Sequence, residues 1–219
     1  MPKVKICGNT SLSDAQMAAE FGADYLGLIF AESKRQLTLS AANKIIIGMP
    51  QYRNFVGVFF NQPKPEVLSI ATELGIKILQ FHGEETSRYC QSFIEKGFQV
   101  IKTFRIKDQL SFKRIDEYDT TAFLFDTFSK EETGGTGKAF DWNLIEDKPF
   151  IRQKLFLAGG LNPNNLAEAI RKVRPFAVDV ASGVEISPGK KDPELVRAFI
   201  TIAKQNGQTD HAEKGAVHS

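Results

Sequence analysis

Short apolar runs alternate along this chain with longer stretches in which apolar positions recur every three or four residues, and eight of the short runs follow one another from end to end. They begin near Lys3, Tyr25, Asn54, Lys77, Phe98, Thr121, Gln153 and Phe176. The repeat, roughly 25 residues, is the length of one strand, one helix and their connections. Most runs are apolar almost without interruption, as parallel strands covered on both faces must be. The stretches between them carry helix signals. Ser11 stands three residues before Asp14 as a capping-box-like start, Leu12, Ala15 and Ala19 share one face, and Gly22 marks the stop. Val67, Ala71 and Leu74 repeat the pattern ahead of Gly75, and Leu195, Phe199 and Ile202 do so near the end. Eight such units predict an α/β protein closed into a single-domain (β/α)8 TIM barrel. The competing arrangement is an open doubly wound sheet, with its site at a topological switch point. Motifs near both chain ends that suit one site favour the barrel. The predicted catalytic domain covers residues 1–204, and the polar stretch 205–219, with little to bury, reads as a flexible tail.

Composition narrows the classes of partner. The 219 residues fit one barrel, and 42% hydrophobic with 25% charged residues is globular composition. The 28 basic residues nearly balance 26 acidic ones, and a net charge of +2 offers no broad footprint for nucleic acid. Apolar runs such as 25–30 and 55–60 are strand-sized, well short of the roughly 20 residues that span a bilayer. No membrane partner is expected. Met1 leads straight into strand-like sequence without a signal-peptide pattern, so the expected location is cytoplasmic. The two cysteines, Cys7 and Cys90, stand in unrelated contexts, and no disulfide is expected.

In a barrel the carboxyl ends of the strands meet above one packed core, and functional residues are sought there. Six ends are informative: Ile6-Cys7-Gly8, residues 30–35, Gln80-Phe81-His82-Gly83, Phe125-Asp126-Thr127, Leu157-Ala158-Gly159-Gly160 and Val180-Ala181-Ser182-Gly183. Gly159-Gly160 leads through Leu161 to Asn162-Pro163, an N-cap followed by proline at the first helical position. Ser182-Gly183 opens a second short segment. Either turn alone is explained by chain reversal, but at the seventh and eighth strands together they point to a phosphate cradle of backbone N–H groups aided by helix N-termini.

The loop 127–139 contains Gly134-Gly135-Thr136-Gly137-Lys138, which fails as a nucleotide-binding motif. Glu132 stands where its first glycine belongs, and Ala139 where a hydroxyl should meet magnesium. A lid beside Asp126 is the functional reading, an inert loop the alternative. Cys7 alone is more often a small buried hydrophobe than a base, and Asp126 alone a turn cap. Together they supply a thiol and a carboxyl group on nearly opposite strands, an arrangement suited to acid–base chemistry across a bound sugar. A base must be thiolate, so some local stabilisation of the Cys7 anion is expected. Cys90, inside the helix-like segment 85–96, reads as structural. The other histidines besides His82 lie in the tail, at His211 and His218, so no triad, metal site or other cofactor is expected. Arg35 has the planar fork to clamp a carboxylate, although a loop arginine is usually just solvated.

These residues resemble a known family. Val4-Lys5-Ile6-Cys7-Gly8, Gln80-Phe81-His82-Gly83, Gly134-Gly135-Thr136-Gly137 through Phe140-Asp141-Trp142, Leu157-Ala158-Gly159-Gly160-Leu161 and Val178-Asp179-Val180-Ala181-Ser182-Gly183-Val184-Glu185 look like phosphoribosylanthranilate isomerase, in unchanged order from residue 4 to about 192. The resemblance implies an Amadori rearrangement of a small phosphosugar substrate in tryptophan biosynthesis. It implies Cys7 as general base, Asp126 as general acid, Arg35 on the anthranilate carboxylate, and Gly159, Gly160, Ser182 and Gly183 around the phosphate. His82 and Asp179 become site neighbours. Two positions depart from the pattern: Lys34 replaces a proline before Arg35, and Phe81 replaces a leucine. The related aminoaldose isomerase of histidine biosynthesis would carry aspartate in place of Cys7. Indole-glycerol phosphate synthase would need a longer N-terminal extension and a lysine acid. A non-catalytic phosphosugar-binding barrel would keep the glycine turns without needing Cys7 and Asp126 together.

Overall fold

The computed structural model describes residues 1–106, 114–126 and 152–206. The loop reading for residues 127–139, the Phe140-Asp141-Trp142 motif and the tail from 207 onward, with His211 and His218, lie outside them. Eight strands form a closed parallel barrel in sequence order: β1 Lys3–Ile6, β2 Tyr25–Ile29, β3 Phe55–Phe59, β4 Ile78–Phe81, β5 Gln99–Arg105, β6 Ala122–Asp126, β7 Leu155–Ala158 and β8 Ala177–Val180. Each begins within two residues of its predicted start. Closure is made by β1 against β8, with Lys3, Val4, Lys5 and Ile6 in register with Ala177, Val178, Asp179 and Val180. The open-sheet alternative is thereby excluded.

Helices α1 Leu12–Glu20, α2 Leu39–Ile47, α3 Lys64–Glu73, α4 Ser87–Ile94, α5 Pro163–Val173 and α6 Pro193–Asn206 cover the outside. Their ends follow from local chemistry. Ser11, Thr38 and Thr86 each cap a helix by accepting a backbone N–H from three residues on. Asn162 and Asn165 form a reciprocal capping box at α5, with Pro163 just inside it. Helix α6 runs two residues past the domain edge predicted at 204, because Ile200 and Ala203 anchor its last turns in the core. The segment expected to be helical from residue 85 starts instead after Thr86, and Glu85 turns inward.

Strand pleating sends alternate side chains to two different cores. Outward residues such as Leu26, Phe59, Phe81 and Val178 pack under the helices. Phe81 lies 5.0 Å from the ring of Phe93 and 5.1 Å from that of Tyr89, so an aromatic at this position fills the space beneath α4. Inward residues Val56, Val58, Ile78, Ile101, Leu124 and Phe156 fill the barrel, with Cys7 and Ala158 at its upper end.

Below the β4 and β5 ends, a buried ion pair ties two loops together. Lys102 donates to Glu85 at 3.0 Å and to the carbonyl of Gly83 at 2.6 Å, while Glu85 accepts the backbone N–H groups of Asn61 and Gly83. Removing one partner of such a pair strands a buried charge. Glu85→Ala is expected to lower the free energy of unfolding by about 3–5 kcal/mol. Urea denaturation checks this, and a loss below about 1 kcal/mol would show that the carbonyls of Phe81 and Gly83 satisfy Lys102 unaided.

Candidate active site

The upper barrel opens into one cavity of about 1250 Å³. Cys7, Arg35, His82, Asp126, Gly159, Gly160, Asp179, Ser182 and Gly183 all line it, so every site residue expected from the sequence is brought to one place. Strand alternation explains how. Lys5 and Cys7, Gln80 and His82, and Leu124 and Asp126 are pairs two residues apart, and the second of each stands at the mouth above a residue already inside the barrel.

Cys7 is held closely. Its thiol passes over Gly27, where a Cβ would fall 2.6 Å from the sulfur. Beneath it Lys5, fully buried, donates to Asp179 at 2.9 Å across the β1–β8 seam. Burial opposes the Lys5 charge, but Asp179 and Cys7 outweigh it and hold the ammonium above its ordinary range. Lys191, also buried, donates to the Cys7 carbonyl oxygen. The expected stabilisation of the thiolate is therefore only half met. Burial pushes the Cys7 thiol above its ordinary value, and although Lys5 and Lys191 draw it down, desolvation prevails.

Asp126 ends β6 with its carboxyl group partly exposed to the cavity, and its Oδ2 lies 3.5 Å from His82 Nε2. His82 Nδ1 lies 3.1 Å from Gln80 Nε2 and 3.3 Å from the Thr103 hydroxyl, which leaves Nε2 as the ring nitrogen turned toward Asp126. Arg35 enters from the connection after β2. The Ser33 hydroxyl accepts its backbone N–H, and Lys34 is exposed, so the position where proline was expected leaves Arg35 in the cavity. Its guanidinium is not merely solvated: Nε and Nη2 grip Glu185, the latter at 2.6 Å.

The two glycine turns form one continuous surface. Gly159 and Gly160 have φ of 86° and 68°, a conformation glycine adopts without strain. A Cβ on Gly183 would overlap the carbonyl oxygen of Leu161, so the turn after β8 rests directly on the turn after β7. The expected help from the α5 N-terminus needs revision. The Asn162 side chain accepts the Asn164 N–H, and the Asn162 carbonyl accepts that of Asn165, so its leading donors are already used by the cap. A short 3₁₀ turn, Ser182–Val184, presents instead the leading N–H groups that have no partner within a helical turn.

Sequence reasoning passed over Lys5, Glu185 and Lys191 as working residues. Lys5 was legible, since a charge two positions before Cys7 in an apolar strand shares its face. Glu185 and Lys191 face each other on a ribbon, β9 Glu185–Ser187 and β10 Lys190–Lys191, whose turn was signalled by Pro188-Gly189.

Fold and site together define a (β/α)8-barrel enzyme with a thiol, a carboxyl group and an arginine around a cavity that ends in two glycine turns. The chain belongs to the N-(5'-phosphoribosyl)anthranilate (PRA) isomerase family, whose model matches residues 4–202. An N-(5'-phosphoribosyl)anthranilate isomerase from Pelobacter propionicus is 43% identical over 206 residues, covering 94% of this chain and 97% of that one. The crystal structure of phosphoribosyl anthranilate isomerase from Thermotoga maritima superposes with a TM-score of 0.83 at 40% identity, over 94% of this chain and all of that one. Another solved phosphoribosyl anthranilate isomerase, in complex with reduced 1-(o-carboxyphenylamino)-1-deoxyribulose 5-phosphate, gives 0.81 at 39% identity, with coverage of 94% and 100%. The protein is an aldose–ketose isomerase of tryptophan biosynthesis, converting N-(5-phosphoribosyl)anthranilate to 1-(2-carboxyphenylamino)-1-deoxyribulose 5-phosphate. No helix among the described residues is long and apolar enough to cross a membrane.

The raised thiol has a measurable consequence. At neutral pH Cys7 of the unliganded enzyme should be thiolate to a smaller extent than a free cysteine, so its alkylation by iodoacetamide should rise with pH through a midpoint above about 8.5. Cys90, pushed up to about 12 by burial, stays silent in this range. A midpoint at or below 8.5 would mean that the two lysines outweigh burial.

Proposed function

We propose that Cys7 is the general base and Asp126 the general acid of the rearrangement, with the substrate stretched between the glycine turns and Arg35. The observation that carries this reading is the sharing of one cavity by all these groups, with Cys7 on β1 and Asp126 on β6. Asp126, protonated, gives its proton to the ribose ring oxygen as the C1–O bond breaks, and the anilino nitrogen lone pair forms the iminium. Cys7 thiolate then removes the C2 proton, and the C–H electrons move into a C1–C2 double bond as the iminium is neutralised. The resulting enolamine tautomerises to the ketone. His82 and Asp179 border the reacting centre, His82 turned toward the Asp126 carboxyl group and Asp179 holding Lys5 beneath Cys7.

Phosphate would be bound by neutral backbone groups of Gly159, Gly160, Ser182 and Gly183, on two turns that pack directly on one another at the cavity wall. Arg35 would meet the anthranilate carboxylate. The working unit is the single barrel domain, which runs through the end of α6 at Asn206, acting in the cytoplasm on a phosphosugar.

Acid and base should fail in different ways from a structural cysteine. Cys7→Ser keeps the size but not the acidity, and Asp126→Asn removes the transferable proton, so each should lower kcat by on the order of 10²- to 10⁴-fold while product binding survives. Stopped assays of freshly generated phosphoribosylanthranilate, with thermal midpoints for both variants, provide the check. Near-wild-type turnover in either folded variant would defeat the pair.

Arg35→Lys retains charge but not the planar fork, and kcat/KM should fall by about ten-fold or more. Unchanged kcat/KM in that variant and in Arg35→Ala would remove the assignment of Arg35.

A further inference from the structure

Beside the cavity stand two buried charges, Glu185 and Lys191, that take no direct part in the chemistry above. Glu185 and Lys191 are register partners on the β9–β10 ribbon, their side chains are 3% and 0% exposed, and Lys191 Nζ lies 2.9 Å from Glu185 Oε1. Each also reaches a functional residue. Glu185 takes Arg35 Nε at 2.9 and 3.1 Å and Nη2 at 2.6 Å, and Lys191 Nζ donates to the backbone carbonyls of Cys7 at 2.5 Å and Ala181 at 3.4 Å. The ribbon itself is fastened to the β1–α1 connection and to the first turn of α1. The Thr10 hydroxyl donates to the Gly189 carbonyl, and the Asp14 carboxylate accepts the Lys191 N–H.

A guanidinium can meet carboxylates along more than one edge. Glu185 fills the Nε–Nη2 edge, and among the described residues Nη1 makes no hydrogen bond, so the edge that includes it remains for a ligand in the cavity. Arg35 and Lys191 set against the one carboxylate of Glu185 leave a local charge of plus one. We infer that Glu185 and Lys191 are positioning residues, fixing the Arg35 guanidinium relative to the backbone of Cys7 and leaving one surplus positive charge that matches a single substrate carboxylate.

The inference rests on the reading of Arg35 as the carboxylate clamp. Glu185 is an anion in this setting: burial opposes its charge, but hydrogen bonds from Arg35 and Lys191 hold its carboxyl below the ordinary range. Three buried or half-buried charges are poor stabilisers compared with apolar packing, which makes geometric specificity the reason to keep them.

The test compares Glu185→Gln, the doubly neutral Glu185→Gln/Lys191→Met and Arg35→Ala by KM for phosphoribosylanthranilate and by the inhibition constant of inorganic phosphate. Glu185→Gln should raise KM on the order of ten-fold, the worth of one charge-assisted contact, while the phosphate constant stays within about two-fold. The doubly neutral variant keeps volume and leaves no fully buried charge unpaired, only the partly exposed Arg35 without its carboxylate, so it should fold and show the same KM loss even if Glu185→Gln alone does not fold. In an Arg35→Ala background, Glu185→Gln should add nothing, because it acts through an absent side chain. Equal weakening of substrate and phosphate, additive effects with Arg35→Ala, or wild-type KM in the doubly neutral variant would each overturn the inference. If Arg35→Ala alone leaves KM unchanged, the clamp reading fails and this inference with it. If Arg35→Ala is impaired but the doubly neutral variant is not, only the positioning role is lost.

Discussion

Everything at the site depends on the seam where β1 meets β8. The two strands are separated by most of the chain, and their register sets Lys5 against Asp179 in a buried ion pair. Neither charge would be tolerated in this layer alone, because desolvation costs several kcal/mol for an unpaired ion. The pair therefore specifies the register as well as satisfying it, since a shift of β1 by one residue would turn Lys5 to the outer face among apolar neighbours and leave Asp179 without its partner. With the register set, Cys7 stands two residues above Lys5, and the turn after β8 lies beside it.

The same seam explains the state of the Cys7 thiol. A base that removes a proton from carbon needs to be anionic at the moment of reaction, yet a buried thiol resists ionisation. The barrel places Lys5 beneath the sulfur and Lys191 against the neighbouring carbonyl, both favouring the thiolate, while burial and Asp179 oppose it. The balance lies with burial in the unliganded site.

Close backbone approach is the second constraint. Gly27 leaves space that the Cys7 sulfur occupies, and Gly183 lets the turn after β8 settle on the Leu161 carbonyl. In both places a methyl group would displace something essential, either the reacting atom or one wall of the proposed phosphate site. Around these fixed points the charged residues have been drawn inward: Arg35 to Glu185, Glu185 to Lys191, and Lys191 to the backbone of Cys7.

Periodicity along the chain determined the number, order and starting points of the eight strands, because a parallel strand covered on both faces can only be written as an apolar run, and a helix between two such runs needs a cap and a stop. Position at a strand end was enough to single out Cys7, Asp126 and the two glycine turns, since the barrel sends strand ends to one mouth. What the linear pattern could not carry was which charges would meet. Lys5 with Asp179 and Arg35 with Glu185 are 174 and 150 residues apart, and no local propensity links residues at that range. Nor could it say that burial would outweigh two lysines at Cys7, or that Asn162 would use up the leading donors of α5. Those outcomes are sums over neighbours supplied by different strands, and only closure of the barrel assembles the neighbours.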